Sequence, residues 1–365
     1  MITINELLDG KYKIEKPDQK DFERVKKSWD MVAKPLDSMG RFETITSKMG
    51  AITGDDSLDF QKKIILIFCA DNGIVYEGIS QSEQDVTLAV TKAMGQRKSS
   101  VCKMAAHIGA DVRPIDIGIN SSEEIDGVLN KKVRMGTRDF MKEPAMTRLE
   151  TLKAIQTGMD MVYECKNQGY KVIGTGEMGI GNTTTSCAIA AALLGVRAKE
   201  IVGRGAGLSD NGLEKKEEVV QAAIDIYGLY GANPLKVLEV VGGLDIAALT
   251  GVVIGGAVYH IPIILDGVIT LVAALVATRM FENVREYIIA SHIGREPAIK
   301  MLLKELRLEP VICADLALGE GTGAVMFCSL LDMALTLYDE DYTFKDIEIK
   351  PYHRFDCKQI NNIKG

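Results

Sequence analysis

Short runs rich in β-branched residues recur along this chain, each ending in a small or acidic residue and each followed by a helix-like segment. The clearest occupy residues 63–70, 111–117, 171–174, 261–265 and 284–290. Their apolar continuity, without alternation, suits strands covered on both faces, which predicts an α/β fold around a doubly wound parallel sheet. Residues 21–34 are polar with spaced apolar positions (Phe22, Val25, Trp29, Val32) and predict an amphipathic helix outside the sheet. Residues 323–338 predict a long helix, and the tail beyond adds no further βα unit, so a small domain assembled from both chain ends is expected beside the large one.

With 47% hydrophobic and 25% charged residues over 365 positions, the chain can bury a large core. A net charge of −7 argues against nucleic acid or an anionic membrane as partner. Residues 246–265 carry no Asp, Glu, Lys or Arg, but Gly251, Gly255, Gly256 and the break Tyr259-His260-Ile261-Pro262 divide them into a buried helix and a short strand, against a membrane span. Seven dispersed cysteines (Cys69, Cys102, Cys165, Cys187, Cys313, Cys328, Cys357), with no C-x-x-C pair, point to a reduced cytoplasmic protein. Residues 1–20 lack the apolar core of a signal peptide, so export is not expected.

Ligands of open parallel sheets bind beyond the carboxyl ends of the strands, and four loops there could carry chemistry. The first runs Gly174-Thr175-Gly176-Glu177-Met178-Gly179-Ile180-Gly181-Asn182-Thr183-Thr184 into an Ala-rich helix. Its glycines let backbone N–H groups approach a ligand, and the helix start favours an anion. Gly174-x-Gly176-x-x-Gly179 also matches the dinucleotide fingerprint, but no acid stands at a strand end about twenty residues later to bind a ribose. The second, Gly203-Arg204-Gly205-Ala206-Gly207-Leu208, follows the strand-like pair Ile201-Val202 and leads to Lys215-Lys216. It could hold a phosphate, or merely turn the chain.

In the third, Leu318-Gly319-Glu320-Gly321-Thr322-Gly323, an acid sits between glycines before a helix. Apolar surroundings would make Glu320 a usable proton acceptor; the plainer reading is an acid favouring a helix N-terminus. The fourth, Cys69-Ala70-Asp71-Asn72-Gly73, leads to Glu77-Gly78-Ile79-Ser80-Gln81-Ser82, and Asp71 there could orient a ligand or form an Asx turn. His107, His260, His292 and His353 show no metal-ligand spacing, and no G-x-S-x-G elbow is present. Two loop glutamates among glycine-rich anion sites suit electrostatic and acid–base work rather than covalent catalysis.

Read in order, these loops resemble the nicotinate-nucleotide:dimethylbenzimidazole phosphoribosyltransferase family. The resemblance starts at Lys34-Pro35-Leu36-Asp37-Ser38-Met39-Gly40-Arg41 and runs through Asp71-Asn72-Gly73, Glu77-Gly78, Val86-Thr87 and Pro144-Ala145-Met146-Thr147-Arg148. It continues through the Glu177 loop, Gly242-Gly243-Leu244-Asp245, Leu265-Asp266-Gly267, Ser291-His292 and the Glu320 loop. It implies a Rossmann-like catalytic domain over 58–325, a small helical domain from 1–57 with 326–365, and a homodimer acting on small molecules with no cofactor or metal.

It also implies roles. Glu320 is the general base and Glu177 the second catalytic carboxylate. Ser82, Val90, Asp71 and Leu318 line the base site. Gly176, Gly179, Asn182, Thr183, Gly203, Gly205, Lys216, Ser291 and Gly294 bind the nucleotide and its phosphate. Three positions depart from the pattern: Asn72 replaces a histidine, Val90 a pocket glutamine, and Gly294 a serine near the phosphate. The implied reaction moves 5-phosphoribose from nicotinate mononucleotide to a benzimidazole-type base, in cobalamin biosynthesis. The rival readings are an NAD-dependent oxidoreductase and a non-catalytic nucleotide-binding module.

Overall fold

The computed structural model describes residues 1–338 and 342–354; Cys357 lies outside them. The helices run α1 (Ile4–Leu8), α2 (Gln19–Met31), α3 (Arg41–Thr53), α4 (Asp85–Gly95), α5 (Ser100–His107), α6 (Arg148–Asn167) and α7 (Asn182–Leu194). They continue with α8 (Asp210–Tyr227), α9 (Pro234–Val241), α10 (Leu244–Tyr259), α11 (Val268–Met280), α12 (Ala298–Leu306) and α13 (Thr322–Leu335). No described helix is long and apolar enough to cross a membrane.

The strands β1 (Lys63–Ala70), β2 (Asp111–Gly118), β3 (Leu129–Asn130), β4 (Val172–Met178), β5 (Ile263–Leu265) and β6 (Ile288–Ala290) form one parallel sheet. Its order is β3-β2-β1-β4-β5-β6. The chain therefore winds outward from β1 in one direction, then resumes at β4 on β1's other side. Loops diverge at that reversal and leave a crevice beyond the carboxyl ends of β1 and β4. A second parallel pair, β7 (His292–Gly294) with β8 (Ile312–Leu316), stands apart from the sheet.

β1 matches its expected span and is buried at all eight positions, as a doubly covered strand requires. Four other segments differ from expectation. β4 does not stop at Gly174 but pairs with β1 through Met178, which carries Gly176 and Glu177 into the sheet. Residues 284–287 form a 3-10 turn rather than strand, because Val284 and Tyr287, three apart, both point into the core. Ile201-Val202 is also not a strand: both N–H groups return to the Ala198 carbonyl after a 3-10 turn. β5 begins only after Pro262, which has no N–H to give a ladder.

α10 is buried along its entire length, the fate of a helix apolar all round. It lies on α6 through glycines: a Cβ at Gly158 would stand 1.9 Å from the Ala248 carbonyl oxygen, and one at Gly251 the same distance from that of Ile155. The charge-free stretch is thus core, not membrane.

Two compact units emerge, Met1–Lys16 with Asp59–Ser329, and Pro17–Leu58 with Leu330–Gly365. The first sixteen residues group with the large unit rather than with the expected small domain. Ile4 and Leu7 are buried there, and the Ile4 N–H donates to Gln156 Oε1 at 2.7 Å. In the smaller unit α2 packs on α3 around Trp29, whose Nε1 donates to Thr46 Oγ1 at 2.8 Å. Buried Glu43 accepts from Lys26 at 2.8 Å and Lys34 at 2.6 Å.

Candidate active site

β4 ends in the crevice, and its backbone meets the loop that opens α13. A Cβ at Gly176 would stand 2.6 Å from the Glu320 carbonyl oxygen and 2.9 Å from the Gly321 nitrogen, so only glycine fits. A Cβ at Gly319 would stand 3.0 Å from Glu177 Oε1. Glu177 and Glu320, 143 positions apart in the numbering, are therefore brought side by side.

Glu320 adopts a left-handed backbone, φ 60°, between Gly319 at 80° and Gly321 at 90°. For a residue with a Cβ this costs about 1–3 kcal/mol, and such strain is held only where the surroundings impose it. Asp266, just past β5, imposes it: its Oδ2 accepts from the Gly321 N–H at 3.1 Å, and its Oδ1 from Gly323 at 2.7 Å and Ala324 at 3.3 Å. The buried carboxylate thereby caps α13 and fixes the turn that presents Glu320.

The Glu320 carboxyl is half-buried, and its Oε2 has no hydrogen-bond partner among the described residues. Burial raises its pKa and Asp266 adds to the rise, against the N–H of Val101 at the start of α5. A carboxylate in that state takes up a proton readily. Glu177 is pushed up to about 8, by burial first and then by the carboxylates of Asp245, Asp266 and Glu320, against a hydrogen bond from Asn182. Asn182 Nδ2, at the start of α7, donates to Glu177 Oε2 and to Asp245 Oδ2, the latter at 3.0 Å.

Next to this pair lies an anion corner. Lys216 of α8 is almost wholly buried, with Nζ donating to Thr183 Oγ1 at 2.9 Å and to the Gly203 carbonyl at 3.2 Å. Both partners are neutral oxygens, and no ion pair engages Lys216 among the described residues. Gly205 lies against the same ammonium, and its N–H donates to Glu296 Oε1 at 3.2 Å. A buried cation, a helix start and a glycine loop together suit a phosphate.

Gly179 is packed against the Ala70 carbonyl, Asp245 and Asn72. Ser291 is buried with its hydroxyl donating to the Asp266 carbonyl at 3.1 Å, so it supports the Asp266 turn. Gly294 has no room for a serine: a Cβ would stand 2.8 Å from Ile299 Cδ1 and 2.9 Å from the Leu316 carbonyl. Asp71 is buried, its Oδ2 accepting from the Asn120 N–H at 2.8 Å, a tie between loops beyond β1 and β2. Ser82 is half-buried, in a loop whose Gln81 donates to the Gly207 carbonyl; Val90 is half-buried on α4; Leu318 is exposed before α13. Open grooves of about 500 Å³ along α2 and about 570 Å³ along α8 include none of these residues.

The dinucleotide reading fails on placement. Gly174 and Gly176 lie within β4, not in a strand-to-helix turn, and each is explained by a close neighbour, Ile65 for one and the Glu320 backbone for the other. Sequence reasoning gave no role to Asp245 or Asp266. An acid directly after an apolar strand, as at Leu265-Asp266, was the available signal.

A family model described as phosphoribosyltransferase matches residues 14–349. The chain is 41% identical over 351 residues to the nicotinate-nucleotide–dimethylbenzimidazole phosphoribosyltransferase of Clostridium acetobutylicum, covering 96% of this chain and 99% of that one. It is 42% identical over 330 residues to the enzyme of the same name from Ruminiclostridium cellulolyticum, covering 90% and 94%. A solved structure of the nicotinate-nucleotide–dimethylbenzimidazole phosphoribosyltransferase from Thermus thermophilus superposes with a TM-score of 0.84 at 31% identity, over 91% of this chain and 99% of that one. With its crevice built from the loops that carry the resemblance, the chain belongs to this phosphoribosyltransferase family.

Proposed function

We propose that this chain transfers 5-phosphoribose from nicotinate mononucleotide to 5,6-dimethylbenzimidazole or a related base, giving nicotinate and an α-ribazole 5′-phosphate type nucleotide for cobalamin biosynthesis. One observation carries the reading furthest: Glu320, strained and with a free buried oxygen, is seated on Gly176 beside Glu177. A binding module has no use for a proton acceptor held at that cost.

In nicotinate mononucleotide the pyridinium nitrogen bears the ribose, so cleavage of that bond releases a ring nitrogen needing no proton. The attacking base has the opposite need. Alkylation of one imidazole nitrogen makes the other N–H acidic, and Glu320 receives that proton. Glu177 stabilises positive charge growing on the ribose in its ionised form, which becomes more populated as pH rises toward 8. Lys216, Thr183 and the Gly203–Gly205 loop hold the 5′-phosphate, so binding energy remote from the reacting carbon fixes orientation. Attack opposite the leaving nicotinate inverts the anomeric carbon from β to α.

Ser82, Val90 and Leu318 line the base site in this scheme. Asp71 and Ser291 support it from behind. The protein works as a cytoplasmic homodimer, a placement supported by family resemblance and by seven dispersed cysteines with no C-x-x-C pair in the sequence. The test is incubation with nicotinate mononucleotide and a panel of benzimidazoles, purines and phenols, with products identified by mass. Nicotinate release coupled to a ribosylated benzimidazole is expected; no release with any base would sink the proposal.

A further inference from the structure

His292 takes no part in the reaction proposed above, yet it is buried at the mouth of the crevice, opening β7 just beyond the carboxyl end of β6. Its Nδ1 lies 2.9 Å from Ser291 Oγ, which is itself 3.1 Å from the Asp266 carbonyl oxygen. A hydroxyl has one proton and a carbonyl can only accept, so that proton goes to Asp266 and Nδ1 must donate to Oγ. His292 therefore carries its proton on Nδ1. Burial lowers its pKa, against the opposing charge of Asp266, so the ring is neutral and Nε2 presents a bare lone pair.

Nε2 has no hydrogen-bond partner among the described residues, and it is not sealed from solvent. Open space adjoins it. Beyond its own chain neighbours, a Cβ at Gly267 would come within 4 Å of this ring alone, 3.9 Å from both Cε1 and Nε2. The Asp266 carboxylate has no need of the ring, since its oxygens already accept from Gly321, Gly323 and Ala324.

The surroundings say what fits there. On one side Asp266 grips the loop that presents Glu320, where the anomeric carbon would react. On the other, Glu296, shortly after β7, accepts from the Gly205 N–H beside the Lys216 ammonium, where the phosphate would sit. Ribose spans those two points. A bare lone pair repels phosphate and carboxylate oxygens and calls for a donor. With its phosphate and carboxyl ionised, nicotinate mononucleotide offers donors only at its two ribose hydroxyls.

We propose that His292 Nε2 accepts a hydrogen bond from one ribose hydroxyl of the nucleotide, which makes His292 the residue that selects ribose over a deoxyribose. The identity of the ligand rests on the phosphoribosyl-transfer reading; the tautomer of the ring does not.

Nitrogen NMR of 15N-labelled protein at pH 7 separates the two. The His292 ring, assigned by comparison with His292→Phe, should show a protonated Nδ1 and a bare Nε2, and saturation with nicotinate mononucleotide should move the Nε2 signal upfield as it gains a donor. A proton on Nε2 in the free protein, or a signal unmoved at saturation, overturns the proposal whether or not any base releases nicotinate. His292→Gln serves for the assignment if His292→Phe does not fold. In transfer assays, wild type should lose about tenfold or more in kcat/KM with either the 2′-deoxy or the 3′-deoxy nucleotide. His292→Phe should treat that analogue and the parent nucleotide alike, and His292→Gln, whose carbonyl can stand in for Nε2, should regain part of the preference. A Phe variant that slows on all three nucleotides equally, keeping the wild-type preference, has lost scaffolding rather than a contact, and overturns the proposal too.

Discussion

Replacing Gly176 by alanine drives a methyl group into the Glu320 backbone. The new Cβ would stand 2.6 Å from the Glu320 carbonyl oxygen, whereas ordinary contact begins at 3.4 Å, so the loop must retreat by about 0.8 Å. It cannot retreat freely, because Asp266 grips the amides on the loop's far side. Overpacking of this kind costs about 1–3 kcal/mol of stability. The larger effect falls on rate: displacing a reacting group by about 1 Å costs on the order of a hundredfold. Lys216 and Thr183 are not touched, so nicotinate mononucleotide should still bind.

Gly174→Ala is the control, since its Cβ would strike the flexible end of Ile65, 2.4 Å away, and the Ala324 methyl, 3.2 Å away. It should lose stability while keeping kcat. The assay is nicotinate release under saturating substrates, beside thermal melts of both variants. Full turnover by Gly176→Ala, with a lowered Tm, would refute the view that Glu320 acts from a position set by β4.

Glu320→Gln keeps the shape but cannot accept a proton, and should lose about two to four orders of magnitude in kcat with nucleotide binding nearly intact, read by turnover and calorimetry. Lys216→Ala should weaken nicotinate mononucleotide by about 10- to 150-fold, from a charge-assisted contact of about 1.5–3 kcal/mol, and leave the free base unaffected in calorimetry. Glu177, raised to about 8 in the folded protein, binds its proton more tightly there than when unfolded, so its contribution is full below the ordinary carboxylate value and is lost as pH rises toward 8. Glu177→Gln should therefore melt increasingly above wild type as pH rises through that window. Val90→Gln should shift the product ratio between competing benzimidazoles, because a buried amide left unpaired costs about 1–3 kcal/mol; an unchanged ratio removes Val90 from the base site.

How far the sequence could be read depended on the range of the forces involved. β1 was legible to the residue because burial on both faces leaves an unbroken apolar run. Glu320 was legible as an acid among glycines, and Lys216 as a cation following a glycine loop. The grip of Asp266 on Gly321 joins residues 55 apart, and no local pattern reports it. β4 was cut short because glycine reads as a strand breaker, although here Gly174 and Gly176 admit neighbours too close for any side chain. Gly294 read as a lost phosphate contact, whereas Ile299 and the Leu316 carbonyl fill the space a side chain would need.

The strand order has a consequence for how the chain is made. β1, the strand buried on both faces, leaves the ribosome before the other strands, and β2 soon covers one of its edges. Its other edge waits for β4, about a hundred residues later, which at about 5–20 residues per second is a delay of several seconds or more. Through that interval a strand apolar from Ile64 onward offers an open row of amides and carbonyls to any passing chain. α10, with no polar face of its own, arrives later still. Slow translation between residues 70 and 172 should prolong the hazard, and a holdase chaperone that covers extended apolar segments should relieve it.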